Sequence, residues 1–143
     1  MITRRQFTGV ATCAICAAAG LVPAGAAIAA DAPAGAKTSG LTRRLLSQTD
    51  GPAPGYTTII AEVTIEPGVT VARHTHPGIE SGYLVEGDLT LSIEGMEPRH
   101  LKPGDGFQVP VGRPHAGDKN GPKRAKVVST YVVEKGKPLA SPA

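Results

Sequence analysis

Beyond residue 56 the chain is cut by glycine and proline into short apolar runs of period two, and this constrains its fold more than any other feature. Ile59, Ala61, Val63 and Ile65 alternate with Thr58, Ile60, Glu62 and Thr64, as in a strand with one more apolar face. Glu66-Pro67-Gly68 ends that run, and Val69 and Val71 then lead into Arg73-His74-Thr75-His76. Pro77-Gly78 turns the chain again before Tyr83-Leu84-Val85, which stops at Glu86-Gly87-Asp88. Leu89, Leu91 and Ile93 alternate with Thr90 and Ser92, Phe107-Gln108-Val109 forms another short run, and Val127 to Val133 a last one. No stretch after residue 56 carries a helical stripe of adequate length. Short strands between Gly/Pro turns predict an all-β sandwich or barrel, and Val, Ile and Leu can fill a small barrel without many aromatics.

The first thirty residues follow a different logic. Thr3-Arg4-Arg5-Gln6-Phe7 sets two arginines ahead of an uncharged run from Thr8 to Ala30, and Ala27-Ile28-Ala29 offers a small-residue cleavage site. A positive start, an apolar middle and a small-residue exit predict an export signal at 1–29, with the doubled arginine pointing to the twin-arginine route. The run is long enough to span a bilayer, but Ala and Gly dominate it and Pro23 interrupts it, so a retained anchor is disfavoured. A lipoprotein reading of Cys13 and Cys16 lacks the expected apolar run before either cysteine. The expected product is periplasmic or secreted, has no stable membrane anchor after cleavage, and has no cysteine for disulfides, thiolate ligation or nucleophilic catalysis.

Removing Arg4 and Arg5 takes the formal charge from +3 to +1, so the basic balance carries no argument for nucleic acid. Five aromatics (three Tyr, two Phe) and no basic stripe point the same way. Residues 30–55, rich in Ala, Pro, Gly, Thr and Ser, are expected to form a flexible lead-in, within which Leu41 to Leu46 could lie against the domain as a short strand or turn. The barrel is assigned to residues 56–143, with its motif-bearing part at 68–119.

Four residues carry the chemistry: His74, His76, Glu80 and His115. On a strand, residues i and i+2 share a face, which sets the Cα atoms of His74 and His76 roughly 6.6 Å apart. Two imidazoles at that separation can meet one ion at ~2.0–2.1 Å. Glu80 follows a Pro-Gly turn that can return its carboxylate to the same point, and His115 comes from a distant segment stiffened by Pro110, Gly112 and Pro114. Three imidazoles and a carboxylate suit one divalent transition metal (Mn, Fe, Co, Ni, Cu or Zn) better than Ca or Mg. A six-coordinate ion held this way keeps two positions for water, substrate or dioxygen.

The glycines and prolines around these residues form two blocks. The first is Gly68-x5-His74-x-His76-x3-Glu80-x6-Gly87, and the second is Gly104-x5-Pro110-x-Gly112-x2-His115-x3-Lys119, sixteen residues apart. This resembles the two signature motifs of the cupin superfamily at almost every fixed position. The departure is Lys119, where cupins often have Asn; Asn120 follows one place later. The resemblance covers roughly residues 56–134. It implies a double-stranded β-helix, or jelly roll, with the metal inside the barrel, held by His74, His76, Glu80 and His115. It also implies a homodimer, as many single-domain cupins are. Gly68, Gly87 and Gly104 are expected in turns that need positive φ.

Other residues carry weaker expectations. Tyr83, Arg73, His100 and Glu86 should face solvent. Gly82 should face the metal, either leaving space for a ligand or marking a bulge. Arg113 belongs near the barrel mouth, where it forms a surface salt bridge or grips a carboxylate. No second carboxylate stands out as a general acid or base, so catalytic residues are not assigned.

Cupins serve many functions, and the residues leave several open. One is a metal-dependent oxidoreductase resembling the quercetinase-type dioxygenases, acting on a small oxygenated aromatic or enediol. Others are a sugar-acid isomerase or lyase using the metal as a Lewis acid, and a non-catalytic periplasmic protein that binds metal or a small ligand.

Overall fold

Eleven strands and no helix make up the described part of the chain, which in this computed structural model comprises residues 37–38, 40–119 and 122–143. The twin-arginine segment and the beginning of the lead-in lie outside the described residues. The strands are β1 (Lys37–Thr38), β2 (Leu41–Asp50), β3 (Tyr56–Ile65), β4 (Val71–Thr75), β5 (Gly78–Glu86) and β6 (Leu89–Ile93), followed by β7 (Arg99–Leu101), β8 (Gly106–Val109), β9 (His115–Lys119), β10 (Ala125–Glu134) and β11 (Ser141–Pro142).

They form two antiparallel sheets. One has the order β1-β2-β3-β10-β5-β8, the other β11-β4-β9-β6-β7. Neighbours in each sheet are mostly distant in sequence, as the two interleaved halves of a jelly roll require. The alternation read along 59–65 is the burial pattern of β3, whose odd-numbered residues point inward. β10 shows the same pattern, with Ala125, Val127, Ser129, Tyr131 and Val133 buried.

Part of the expected lead-in belongs to the barrel. Residues 41–50 form a full-length strand, paired with β3 from Leu41↔Ile65 to Asp50↔Thr57 with a bulge between Leu45 and Ser47. The sheet therefore begins well before residue 56. Edge strands are hard to read from sequence because only one side is paired and much of the strand stays exposed, as the second half of β2 does.

The larger apolar cluster packs Val63, Ile65, Leu84, Leu91, Phe107 and Val127 among others, and a smaller one gathers Ile59, Ala61, Tyr131 and Val133. Each large aliphatic side chain buried here contributes roughly 1.5–3 kcal/mol. On β10, Ser129 stands between Val127 of the first cluster and Tyr131 of the second. The other buried polar residues, apart from Thr57, are His76, Glu80 and His115.

Gly87 shows why the turns need glycine. Its φ is 80°, and a Cβ there would fall 2.2 Å from the Arg124 carbonyl oxygen. Gly68 and Gly104 also have positive φ, at 76° and 100°, as the turn chemistry predicts.

Candidate metal centre

The two sheets contribute opposite walls of the site. His74 near the end of β4 and His115 at the start of β9 are register partners in the five-stranded sheet, and His76 follows one residue after β4. Glu80 lies on β5 of the six-stranded sheet, opposite Tyr131 of β10. Pro77-Gly78 carries the chain from one sheet to the other, which is how residues four apart come to face each other. That crossing demands glycine at 78, where a Cβ would lie 2.0 Å from the Val132 carbonyl oxygen.

The three imidazole rings converge. Their centroids are 4.9 Å apart for His74 and His76, 4.2 Å for His74 and His115, and 5.0 Å for His76 and His115. One ligand nitrogen from each lies within 4.8 Å of the others, so these three residues could hold a metal ion. Each ring is oriented by the same device. His74 Nδ1 donates to the Ala72 carbonyl at 2.8 Å, His76 Nδ1 to the Leu139 carbonyl at 2.5 Å, and His115 Nδ1 to the Arg113 carbonyl at 3.0 Å. With Nδ1 committed as donor, the neutral ring presents its Nε2 lone pair inward.

Glu80 meets two of the three nitrogens. Its Oε2 is 3.0 Å from His76 Nε2 and 3.3 Å from His115 Nε2, while Ser129 donates its hydroxyl to Oε1 at 2.7 Å. Despite that proximity, His115 Nε2 is sealed from solvent with no hydrogen-bond partner. Lone-pair nitrogens and a carboxylate crowded into one buried place repel one another unless a cation joins them, so the donor set fits a divalent metal.

The electrostatics agree with that fit. Burial pushes His74 down to about 4, against the hydrogen bond to Ala72, and the neighbouring His115 and His76 lower it further. Burial alone would raise the Glu80 carboxyl. The close approach of His115 and His76, which favours the carboxylate when either ring carries a proton, and the hydrogen bond from Ser129 instead hold it well below the usual carboxylate range. Burial and the nearby Glu80 push the Tyr131 phenol up, so it remains a neutral donor. The Tyr131 ring also packs edge-on against His76, with centroids 4.9 Å apart.

A cavity of about 60 Å³ adjoins the cluster. His74, Glu80, His115, Ser129 and Tyr131 form its polar side, and Val63, Leu89, Leu91, Phe107 and Val127 line much of the rest. Arg43 of β2 also lines it.

The structure brings His74, His76 and His115 together and sets Glu80 against two of them. Ser129, Tyr131, Leu139 and Arg43 were not singled out by sequence reasoning. Ser129 had a signal: it is a polar residue at an inward position of an otherwise apolar strand. Leu139 contributes through its carbonyl, for which no side-chain pattern exists. Gly82 faces inward as expected, but its missing side chain makes room for the Phe107 ring, which a Cβ would approach to 2.1 Å. It leaves no ligand space and marks no bulge. Arg113 is exposed and donates to the Glu94 carbonyl at 3.2 Å. Arg73 pairs with Glu94 at 2.8 Å, His100 is exposed near Asp88, and Tyr83 and Glu86 face solvent.

Residues 61–131 match the family described as Cupin domain, so this segment is a cupin domain with the double-stranded β-helix fold. Solved structures with the same fold include the DMSP lyase DddQ from Ruegeria pomeroyi, at 22% identity and a TM-score of 0.58 over 66% of this chain and 44% of that one. The chain thus spans less than half the length of that lyase. An RmlC-like cupin from Shewanella frigidimarina is 21% identical, with a TM-score of 0.58 over 69% of this chain and 81% of the other. The polyketide cyclase RemF from Streptomyces resistomycificus is 18% identical, with a TM-score of 0.57 over 73% of this chain and 71% of the other. At these identities the likeness is one of fold. A search among curated proteins finds no match.

Proposed function

We propose that this protein is an exported cupin that holds one divalent transition metal through His74, His76, His115 and Glu80. In this reading it is a metal-dependent enzyme of the dioxygenase type acting on a small oxygenated organic substrate. The observation that carries the metal site is the shared orientation of the three rings, each tied by Nδ1 to a backbone carbonyl so that its Nε2 faces the others.

A bound ion would supply Lewis acidity and open coordination positions for substrate and dioxygen. The chain's own residues do the rest. Ser129 holds the Glu80 carboxylate in one orientation, and Tyr131 keeps a neutral phenol beside it. Apolar side chains line much of the partly open space next to the cluster. That space, about 60 Å³ and partly open, holds a small substrate or the reacting end of a larger one.

A lyase or isomerase is the second reading, favoured by a neutral, buried Tyr131 phenol that can donate a hydrogen bond to a substrate oxygen without any redox step. The two separate on oxygen uptake. Metal-loaded protein incubated aerobically with catechols and small enediols should consume oxygen. Product formation without oxygen uptake would favour the lyase or isomerase, and neither would leave a non-catalytic metal- or ligand-binding protein. Metal content of protein taken from its own periplasm tests the export and metal readings together.

A further inference from the structure

β2 places a positive charge in an otherwise apolar row of the six-stranded sheet. Arg43 pairs with Val63, Val63 with Val127, and Val127 with Leu84, so one row across the six-stranded sheet reads arginine and three aliphatics. Along β2, Leu41 two residues earlier packs against the apolar core. A permanently charged guanidinium in such a row is costly unless something compensates it. Among the described residues Arg43 has no ion pair or hydrogen bond; its side chain is partly exposed, but its Nε is cut off from solvent with no partner. The next residue, Arg44, shows the ordinary arrangement, pairing outward with Glu62 at 3.3 Å.

Arg43 shares its cavity with His74, Glu80, His115, Ser129 and Tyr131. We propose that Arg43 is the anion-binding residue of this site and that its ligand is a small monocarboxylate, seated between the guanidinium and the metal cluster. The guanidinium fork matches a carboxylate with two parallel hydrogen bonds. The cavity, at about 60 Å³, has room for roughly four to six non-hydrogen atoms, the size range of acetate to pyruvate. A single negative charge is favoured over the double charge of phosphate because Glu80 already places a carboxylate in the same cavity. The proposal rests on the metal-site reading only for the ligand's second anchor; the arginine's contribution exists without it.

The test is calorimetric titration of the full chain loaded with zinc, which is redox-silent, using pyruvate, acetate, acetamide and inorganic phosphate. Wild type should bind pyruvate, and acetate more weakly, in clear preference to acetamide and phosphate. R43M should weaken pyruvate binding about tenfold to a hundredfold while zinc stoichiometry stays at the wild-type value, and R43K should retain part of the affinity. Since R43M replaces a partly exposed cation that has no ion pair with an apolar side chain of similar length, its melting temperature should stay close to that of wild type. Pyruvate binding to R43M within twofold of wild type would overturn the proposal. So would zinc-loaded wild type that binds no carboxylate, or phosphate bound more tightly than pyruvate. If wild type takes up no zinc, the metal reading fails instead, and the same wild-type against R43M comparison in the metal-free protein still decides the role of Arg43.

Discussion

Every imidazole in the cluster spends one nitrogen on the backbone so that the other is committed inward, and this sets the behaviour expected of individual residues. Replacing His115 with alanine should lower metal content and melting temperature together, and unchanged stoichiometry by elemental analysis would remove His115 from the ligand set. S129A leaves Glu80 in place but frees its carboxylate to rotate; a loss of 10–100-fold in metal affinity is expected in a competition titration, the usual effect of removing an orienting partner. The pH dependence follows from His74. Its folded value, about 4, lies below the ordinary 6.5, so between these limits the unfolded chain binds more protons. The contribution of His74 to metal-free stability is therefore complete above pH 6.5 and lost as pH falls toward 4. Glu80 is displaced the same way from a lower starting point, so its contribution persists through that window and declines only in stronger acid. Denaturant melts of the apo protein from pH 7 to 4 check the sign: stability that rises on acidification would contradict it.

Among the elements, β11 and the residues before it hold an unexpected position. Ser141 and Pro142 pair with Thr75 and His74, and the Leu139 carbonyl fixes His76. Ending the chain after Lys137 should therefore weaken metal binding while most of the sheet remains; equal affinity in the truncated protein would show that His76 needs no such clamp. β5 offers a contrasting case. G78A brings a Cβ against the Val132 carbonyl, and overpacking against backbone should cost about 1–3 kcal/mol, read as a lowered denaturation midpoint. The inner strands were legible in advance because β3 and β10 bury one face against a core and expose the other, which imposes a period of two. β2 was legible only as a fragment, since a bulge near Leu46 breaks its register and half of it is exposed.

At the scale of the whole molecule, the outer face of the six-stranded sheet leaves Ile79, Tyr83 and Val85 exposed at 44%, 51% and 45%, on a strand at the middle of the sheet's second half. We propose these residues as the face through which the homodimer implied by the resemblance to cupins would form. Sedimentation of Y83E should give a monomer where wild type gives a dimer, and an unchanged species would place any interface elsewhere. The class of fold and the three histidines were readable from sequence alone, because strand alternation, turn glycines and the residue spacing inside each of the two motif blocks are local properties. Glu80, read in the sequence as the fourth ligand, lies against His76 and His115. What only the tertiary structure decided is everything that depends on which strands meet across the barrel. Ser129 reaches Glu80 from 49 residues away, Leu139 reaches His76 from 63, and Arg43 lines the cavity from a strand legible only as a fragment. Such partners are chosen by sheet order and by closure of one sheet over the other, and no local pattern of residues encodes either.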